Sequence, residues 1–176
     1  MHILAIGGSN SANSINRQLA QFAASLFENS TVTIYDLSKI DIPLFSVQLE
    51  NEIGMQPAAR YFANEIDQSD LIVISLAENN GSYNAGFKNL IDWTSRLKDR
   101  KVWNDKPMLL MATSPGGRGG ATVLETAVAY FPRMGADIKG SFTLPKFYEN
   151  FDPIEGIIDQ ELLHELETVV RKIGDK

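Results

Sequence analysis

The stretch ILAIGGSNSANSIN, residues 3–16, sets the reading of the whole chain. Ile3, Leu4, Ala5 and Ile6 form a run that is apolar at every position and stops at Gly7-Gly8. A strand with one face in water alternates in polarity. A run without alternation predicts a strand covered on both faces, as in a parallel sheet. From Ser14 onward the apolar spacing widens to three and four residues, through Ile15, Leu19, Phe22, Ala23 and Leu26, which is the stripe of an amphipathic helix. Between strand and helix lie only Gly, Ser, Asn and Ala.

The same change of period recurs along the chain. Strands are predicted at residues 31–35, 70–76, 107–113 and 137–142. Helical stripes run through Phe87, Leu90, Ile91 and Leu97, then through Val123, Ala127, Tyr130, Phe131 and Met134. A closing amphipathic helix is marked by Leu162, Leu163, Leu166, Val169, Val170 and Ile173. Strands alternating with helices predict an α/β fold with a doubly wound, five-stranded parallel sheet in the flavodoxin-like order 2-1-3-4-5. One domain is expected over residues 1–176, with no repeat or linker. Residues 37–54 and 145–158 fit no regular element, and loops of such length are usually functional or at partner contacts.

Composition narrows the chemistry. The 16 basic and 22 acidic residues leave a net charge of -6, which disfavours nucleic acid and anionic membrane as partners. Cysteine is absent, which removes disulfides, thiolate nucleophiles, iron–sulfur clusters and cysteine-ligated zinc. With His2 and His164 as the only histidines, a metal site or a histidine relay is hard to build. No run approaches the ~18 apolar residues of a membrane span, and Ile3–Ile6 is too short for a signal-peptide core. A cytoplasmic protein is expected, whose chemistry belongs to a bound small molecule.

In this fold class ligands sit at the carboxyl ends of the strands. Three segments follow strands there. The first, Gly8 to Asn16, offers Ser9, Ser11 and Ser14 hydroxyls and the free N–H groups of a helix start, a combination suited to an anion. An ordinary N-capped turn has the same composition. The second runs from Glu78 to Gly86, and its amides and hydroxyls suit the polar edge of a heteroaromatic ring. It is not a P-loop, because Phe87 stands where that loop's lysine belongs. Lys88 and Asp92 read as a surface pair and Trp93 as core. The third, residues 114–120, is dense in glycine, which suits close approach by a ligand or neighbouring chain, with Arg118 available to a phosphate or carboxylate. A flexible loop with a solvated arginine is the alternative reading.

In this order the loops resemble the NADPH-dependent FMN reductase family, which includes quinone, azo-dye and chromate reductases. That family's first loop, Gly-Ser-x-Arg-x-x-Ser-x-Asn, is matched by Gly8, Ser9, Ser14 and Asn16. Its second, Pro-Glu-Tyr-Asn-x-Ser followed by Leu-Lys-Asn-x-x-Asp-Trp, is matched by Glu78, Asn80, Ser82, Lys88, Asn89, Asp92 and Trp93. Residues 114–120 match its Ser-x-Gly-Gly-x-Gly-Gly loop, and Pro43-Leu44-Phe45 fits the loop after its second strand. The resemblance spans residues 3–140. Four departures stand out: Ser11 replaces the first-loop arginine, Asn79 the aromatic near the ring, Ala77 the first proline, and Asn84-Ala85 a Pro-Gly pair. Loss of the aromatic removes a stacking face of about 0.5–1.5 kcal/mol.

The resemblance implies a flavin-dependent oxidoreductase. FMN's phosphate would lie on Ser9, Ser11, Ser14, Ile15 and Asn16. Its ring edge would meet Asn79, Asn80, Gly81, Ser82, Ser114, Pro115, Gly116 and Gly117, with Glu78 and Arg118 completing the cofactor-binding set. NADPH or NADH would be the electron donor and a flavin, quinone or similar small molecule the acceptor. No side chain is expected to act as an essential general base, and no metal is expected. Two rival readings share the fold: a flavodoxin-type electron carrier, and a degenerate member binding another nucleotide or a partner. The family forms dimers and tetramers, so a homodimer or homotetramer is expected, with Phe147–Phe151 and the Phe87 helix either at its contact or buried within one subunit.

Overall fold

The structure, a computed structural model, describes residues 1–175. A parallel sheet is formed by β1 (His2–Gly8), β2 (Thr31–Tyr35), β3 (Leu71–Leu76), β6 (Lys106–Thr113) and β7 (Ala136–Leu144), in the order β2-β1-β3-β6-β7. Counting only these five strands, this is the expected flavodoxin-like order 2-1-3-4-5.

The unbroken apolar runs become intelligible from the pleat. Side chains alternate across a sheet, so each run serves two cores at once. Leu4, Ile6, Ile72, Ile74, Met108 and Leu110 join the core under α3 (Pro57–Gln68), α4 (Ala85–Thr94) and α5 (Ala121–Tyr130). Ile3, Ala5, Leu71, Val73, Leu109 and Met111 join the opposite core under α1 (Ile15–Ser25) and α7 (Gln160–Gly174). All six positions of β3 are buried. Edge strand β2 is less well covered, and Val32 and Ile34 are partly exposed on one of its faces.

The long stretches expected to be irregular are partly regular. Residues 37–54 contain a 3-10 turn at Leu37–Lys39 and a helix, α2 (Val47–Ile53), started by the Ser46 hydroxyl accepting from the Leu49 N–H and ended at Gly54. None of the seven α2 residues is buried, so no apolar stripe announces the helix in sequence. Helix α3 also escapes the periodic reading. Its buried face is Ala59, Phe62, Ala63 and Ile66, and two of those four are alanines that weaken the apolar signal. The stripe read through Met134 breaks after Tyr130, where residues Phe131–Met134 tighten into a 3-10 turn around Pro132. Residues 145–158 form α6 (Phe147–Asn150) and a small hairpin of β8 (Phe151–Asp152) and β9 (Gly156–Ile157).

Helix α1 lies hard against the end of β1. A Cβ on Gly7 would stand 2.6 Å from the Arg17 backbone nitrogen, so only glycine lets the two elements approach this closely. Gly7→Ala is therefore expected to destabilise by about 1–3 kcal/mol, read as a fall in urea midpoint at unchanged slope. Gly117→Ala, where nothing lies within 4 Å of the added carbon, should stay within about 0.5 kcal/mol of the parent.

Candidate functional site

At the carboxyl ends of β1, β3 and β6 a cleft of about 280 Å³ opens between the three loops. Ser9, Ser11, Ser14, Ile15, Asn16, Glu78, Asn79, Ser114 and Pro115 line it. Asn80, Gly81, Ser82, Gly116, Gly117 and Arg118 do not: they are exposed on loop segments outside its lining. Asn10, Asn13, Ala77, Asn84, Thr113 and Tyr148 join the lining although the sequence reading did not select them. A larger groove of about 760 Å³ lies elsewhere, between Met1, Phe27, Val170 and Asp175. Met1 precedes β1, which places that groove at the amino ends of the strands, away from the loops that carry the convergent polar groups.

The first loop is organised by groups that are themselves already bonded. Ser14 is the N-cap of α1, its hydroxyl accepting from the Arg17 N–H at 3.1 Å. The Asn16 side chain is buried and bonded to two sheet strands. Its Oδ1 accepts from the Ser75 hydroxyl at 2.7 Å and the Thr113 N–H at 3.1 Å, while Nδ2 donates to the Thr113 carbonyl at 3.2 Å. Thr113 in turn donates its hydroxyl to the Leu144 carbonyl at 2.7 Å. Asn16 thus ties α1 to β3 and β6, and its backbone N–H remains for a ligand. Gly7 serves the close approach of α1, and neither Gly7 nor Gly8 has positive φ.

Arg17 stabilises this loop from behind. It donates to the Asp36 carboxylate and, through Nη2, to the Ala12 carbonyl at 2.7 Å. Burial raises the Asp36 carboxyl, but hydrogen bonds from the Ser38 hydroxyl and N–H and the charges of Arg17 and Lys39 outweigh it and hold the pKa below the ordinary 3.8.

The second loop is a β-hairpin, β4 (Glu78–Asn79) and β5 (Ser82–Tyr83), turning through Asn80 at φ 53° and Gly81 at φ 76°. Positive φ at both central residues is the pattern of a type I′ turn, and the dipeptide Asn-Gly is its strongest sequence signal. Tyr83 anchors the hairpin inward, stacked on Phe131 with centroids 5.9 Å apart. Burial, and then the neighbouring Tyr130, raise the Tyr83 phenol above its ordinary value. The Glu78 carboxylate accepts from the Val123 N–H at 3.1 Å and so caps α5, whose own N-cap residue, Gly120, has no side chain.

Asn84 caps α4 by accepting from the Gly86 and Phe87 N–H groups. Its Nδ2 donates to Asn10 Oδ1 at 3.1 Å and Asn79 Oδ1 at 3.4 Å, linking the first and second loops. The family-like residues that follow are structural. Asn89 accepts from the Phe45 N–H and donates to the Pro43 carbonyl, to which Trp93 Nε1 also donates at 2.7 Å. They fasten residues 42–45 onto α4. Lys88 and Asp92 pair at 2.6 Å on the surface, as expected.

The third loop divides in two. A Cβ on Gly119 would meet Thr143 at 2.6 Å and the Leu144 carbonyl at 2.8 Å, so that glycine answers to β7 rather than to a ligand. Gly117 faces open space. The Gly116 and Ser114 carbonyls accept from the Lys146 and Phe147 N–H groups at 3.0 and 3.1 Å, which laces the start of α6 to this loop.

The donor set fits a phosphorylated planar ligand. Among the described residues, the N–H groups of Asn13, Ser14, Ile15 and Asn16, all lining the cleft, have no protein acceptor, and they sit with Ser9 and Ser11 at the positive end of α1. Among the described residues lining the cleft, none supplies a cationic side chain, and the one carboxylate, Glu78, is bonded to the start of α5. No group of metal-binding side chains occurs among the described residues.

Comparison with known proteins agrees with this geometry. Residues 1–149 match the family described as NADPH-dependent FMN reductase. The chain is 33% identical to a quinone reductase of Escherichia coli (strain K12) over 139 residues, covering 77% of this chain and 73% of the relative. It is 28% identical to an NADPH:quinone oxidoreductase of Arabidopsis thaliana over 176 residues, covering 97% and 88%. The fold is shared with FerB, a flavoenzyme NAD(P)H:(acceptor) oxidoreductase from Paracoccus denitrificans, at a TM-score of 0.77 and 22% identity over 99% of this chain and 95% of that one. It is also shared with an FMN-dependent NADH-azoreductase from Bacillus anthracis solved with FMN, at 0.67 and 13% over 99% and 100%.

The Asp36–Arg17 pair has a defined pH signature. A carboxyl whose folded pKa is lowered contributes stability that is present above its unfolded value, near 3.8, and is lost as pH falls through the folded value. Asp36→Asn should lower the urea midpoint at pH 6. It should also narrow the difference between pH 6 and pH 3 relative to the parent.

Proposed function

The chain belongs to the NADPH-dependent FMN reductase family and is a flavin-dependent NAD(P)H oxidoreductase, and from that premise we propose how its cleft is used. The FMN phosphate is held by the unpaired N–H groups from Asn13 to Asn16 and by the Ser9, Ser11 and Ser14 hydroxyls. The unpaired amides at the start of α1 are the observation that carries this reading. Ile15 and Asn16 contribute backbone only, because the Asn16 side chain is committed to Ser75 and Thr113.

Bound there, FMN would supply the hydride and electron chemistry between NAD(P)H and the acceptor. The protein's part is to hold the ring edge with Asn79, Ser114 and Pro115, which line the cleft, while Gly116 and Gly117 lie beyond its lining. Asn80, Gly81, Ser82 and Arg118 stand at the rim, where the donor and acceptor arrive. Arg118 has no ion-pair partner among the described residues and is free to meet a phosphate of the nicotinamide nucleotide. Glu78 acts on α5 and not on the ring. No side chain is required as a general base.

The named relatives make a quinone the favoured acceptor. Residues 1–176 work as one domain in the cytoplasm, and a homodimer or homotetramer completes the assembly. Exposed Leu44, Val47 and Ile53 offer apolar surface for that contact. No helix among the described residues is long and apolar enough to cross a membrane.

The direct experiment is to titrate the apoprotein with FMN and then add NADPH without oxygen. Binding at micromolar concentration followed by loss of visible flavin absorption is the expected result. A bound flavin that NADPH leaves oxidised would mark an electron carrier, and absence of binding would mark a family member with another ligand. Ser11→Arg places a cation where the resemblance puts one. It should tighten FMN by about tenfold or more, the scale of one charge-assisted hydrogen bond, while leaving riboflavin affinity within twofold.

A further inference from the structure

Tyr148 is the one aromatic side chain among the residues lining the cleft, and 73% of it is exposed. Neither packing nor a hydrogen bond within the chain accounts for this position. Its phenol has no hydrogen-bond partner among the described residues, and its only aromatic neighbour is Phe147, met edge-on at 5.6 Å. A large aromatic left in water beside a cleft lined largely by Ser and Asn forgoes its burial energy unless a ligand covers it.

The backbone that carries Tyr148 is firmly placed. Lys146 and Phe147 donate to the Gly116 and Ser114 carbonyls, and Lys146 takes a left-handed conformation, φ 46°, to do so. Left-handed φ in a non-glycine residue is uncommon and persists where surrounding bonds require it. The Glu149 and Asn150 N–H groups then donate to the Lys146 carbonyl, and Asn150 Nδ2 donates to Pro145. Phe147 is buried and stacked on Phe151 at 4.6 Å, so this residue points into the core while its neighbour points to the cleft. The aromatic segment that the sequence left undivided thus has an anchoring half and a free half.

We propose that Tyr148 forms an aromatic wall of the cleft and packs its ring against the planar ring system of the bound flavin. This inference rests on the flavin reading above. It makes the segment after the last sheet strand part of the binding site, and it supplies from there the aromatic surface that Asn79 does not provide. The contact is with the ring and not the phosphate, so it should be felt equally by flavins with and without a phosphate group.

The test is titration of the apoprotein with FMN and, separately, with riboflavin, following flavin fluorescence. Tyr148→Ala should weaken both ligands by a similar factor, about three- to tenfold, the range of one aromatic pair. The bound flavin should also fluoresce more brightly in this variant, because a quenching aromatic has been removed. Tyr148→Phe should stay within about twofold of the parent for both ligands. Equal loss in the Phe and Ala variants would assign the contact to the hydroxyl and overturn the proposal. Loss confined to FMN would assign it to the phosphate, with the same consequence, and unchanged affinity in both variants would remove Tyr148 from the site. Failure of the parent protein itself to bind either flavin would overturn the underlying flavin reading instead. Because Tyr148 is exposed and Phe147 is untouched, the thermal midpoint of each variant should match the parent and exclude misfolding.

Discussion

The primary amide of Asn16 joins the first turn of α1 to the ends of two sheet strands. It accepts from Ser75 on β3, and it both accepts from and donates to the Thr113 backbone on β6. Through the Thr113 hydroxyl the chain of bonds reaches Leu144 on β7. All of these groups are buried, where a lost partner costs about 1–3 kcal/mol for each group left unpaired. An aspartate in its place would have no donor for the Thr113 carbonyl. The amide therefore fixes where the helix begins, and with it the direction of the unpaired N–H groups that open onto the cleft.

Around that centre, each loop is held by contacts that leave its ligand-facing atoms free. Arg17 grips the Ala12 carbonyl from behind and is neutralised by Asp36, so the cation nearest the first loop is not available to a phosphate. Asn84 bridges Asn10 and Asn79, which sets the first loop beside the hairpin. Glu78 fastens the hairpin to α5, and Phe147 and Lys146 fasten the third loop to α6. A cleft built this way presents backbone amides and hydroxyls rather than charges. Such donors suit recognition of a dianion with low desolvation cost and leave the redox chemistry to the cofactor.

The sheet and its order were legible because apolar runs such as Ile3–Ile6 and residues 71–76 have no alternation, and the pleat divides such runs between two cores. The cleft's first loop was legible for a related reason: a strand ending in Gly-Gly and a Ser N-cap bracket it. What remained hidden lacks an apolar period. Helix α2 buries nothing, α3 shows alanine on half of its buried face, and the strands of the β4–β5 hairpin are two residues each. The hairpin did carry a readable signal in Asn80-Gly81. The roles of Glu78, Asn89 and Tyr148 depend on partners far away in sequence, at Val123, Phe45 and the third loop, and no local pattern encodes those distances.

The most direct measurement is amide-resolved NMR of the apoprotein as FMN is added. The account predicts that the largest shifts fall together on residues 9–16, on Asn79 to Ser82, on Ser114 to Gly117 and on Tyr148. Shifts centred on Met1, Phe27, Val170 and Asp175, which border the larger groove, would contradict it, as would shifts confined to one of the three loops.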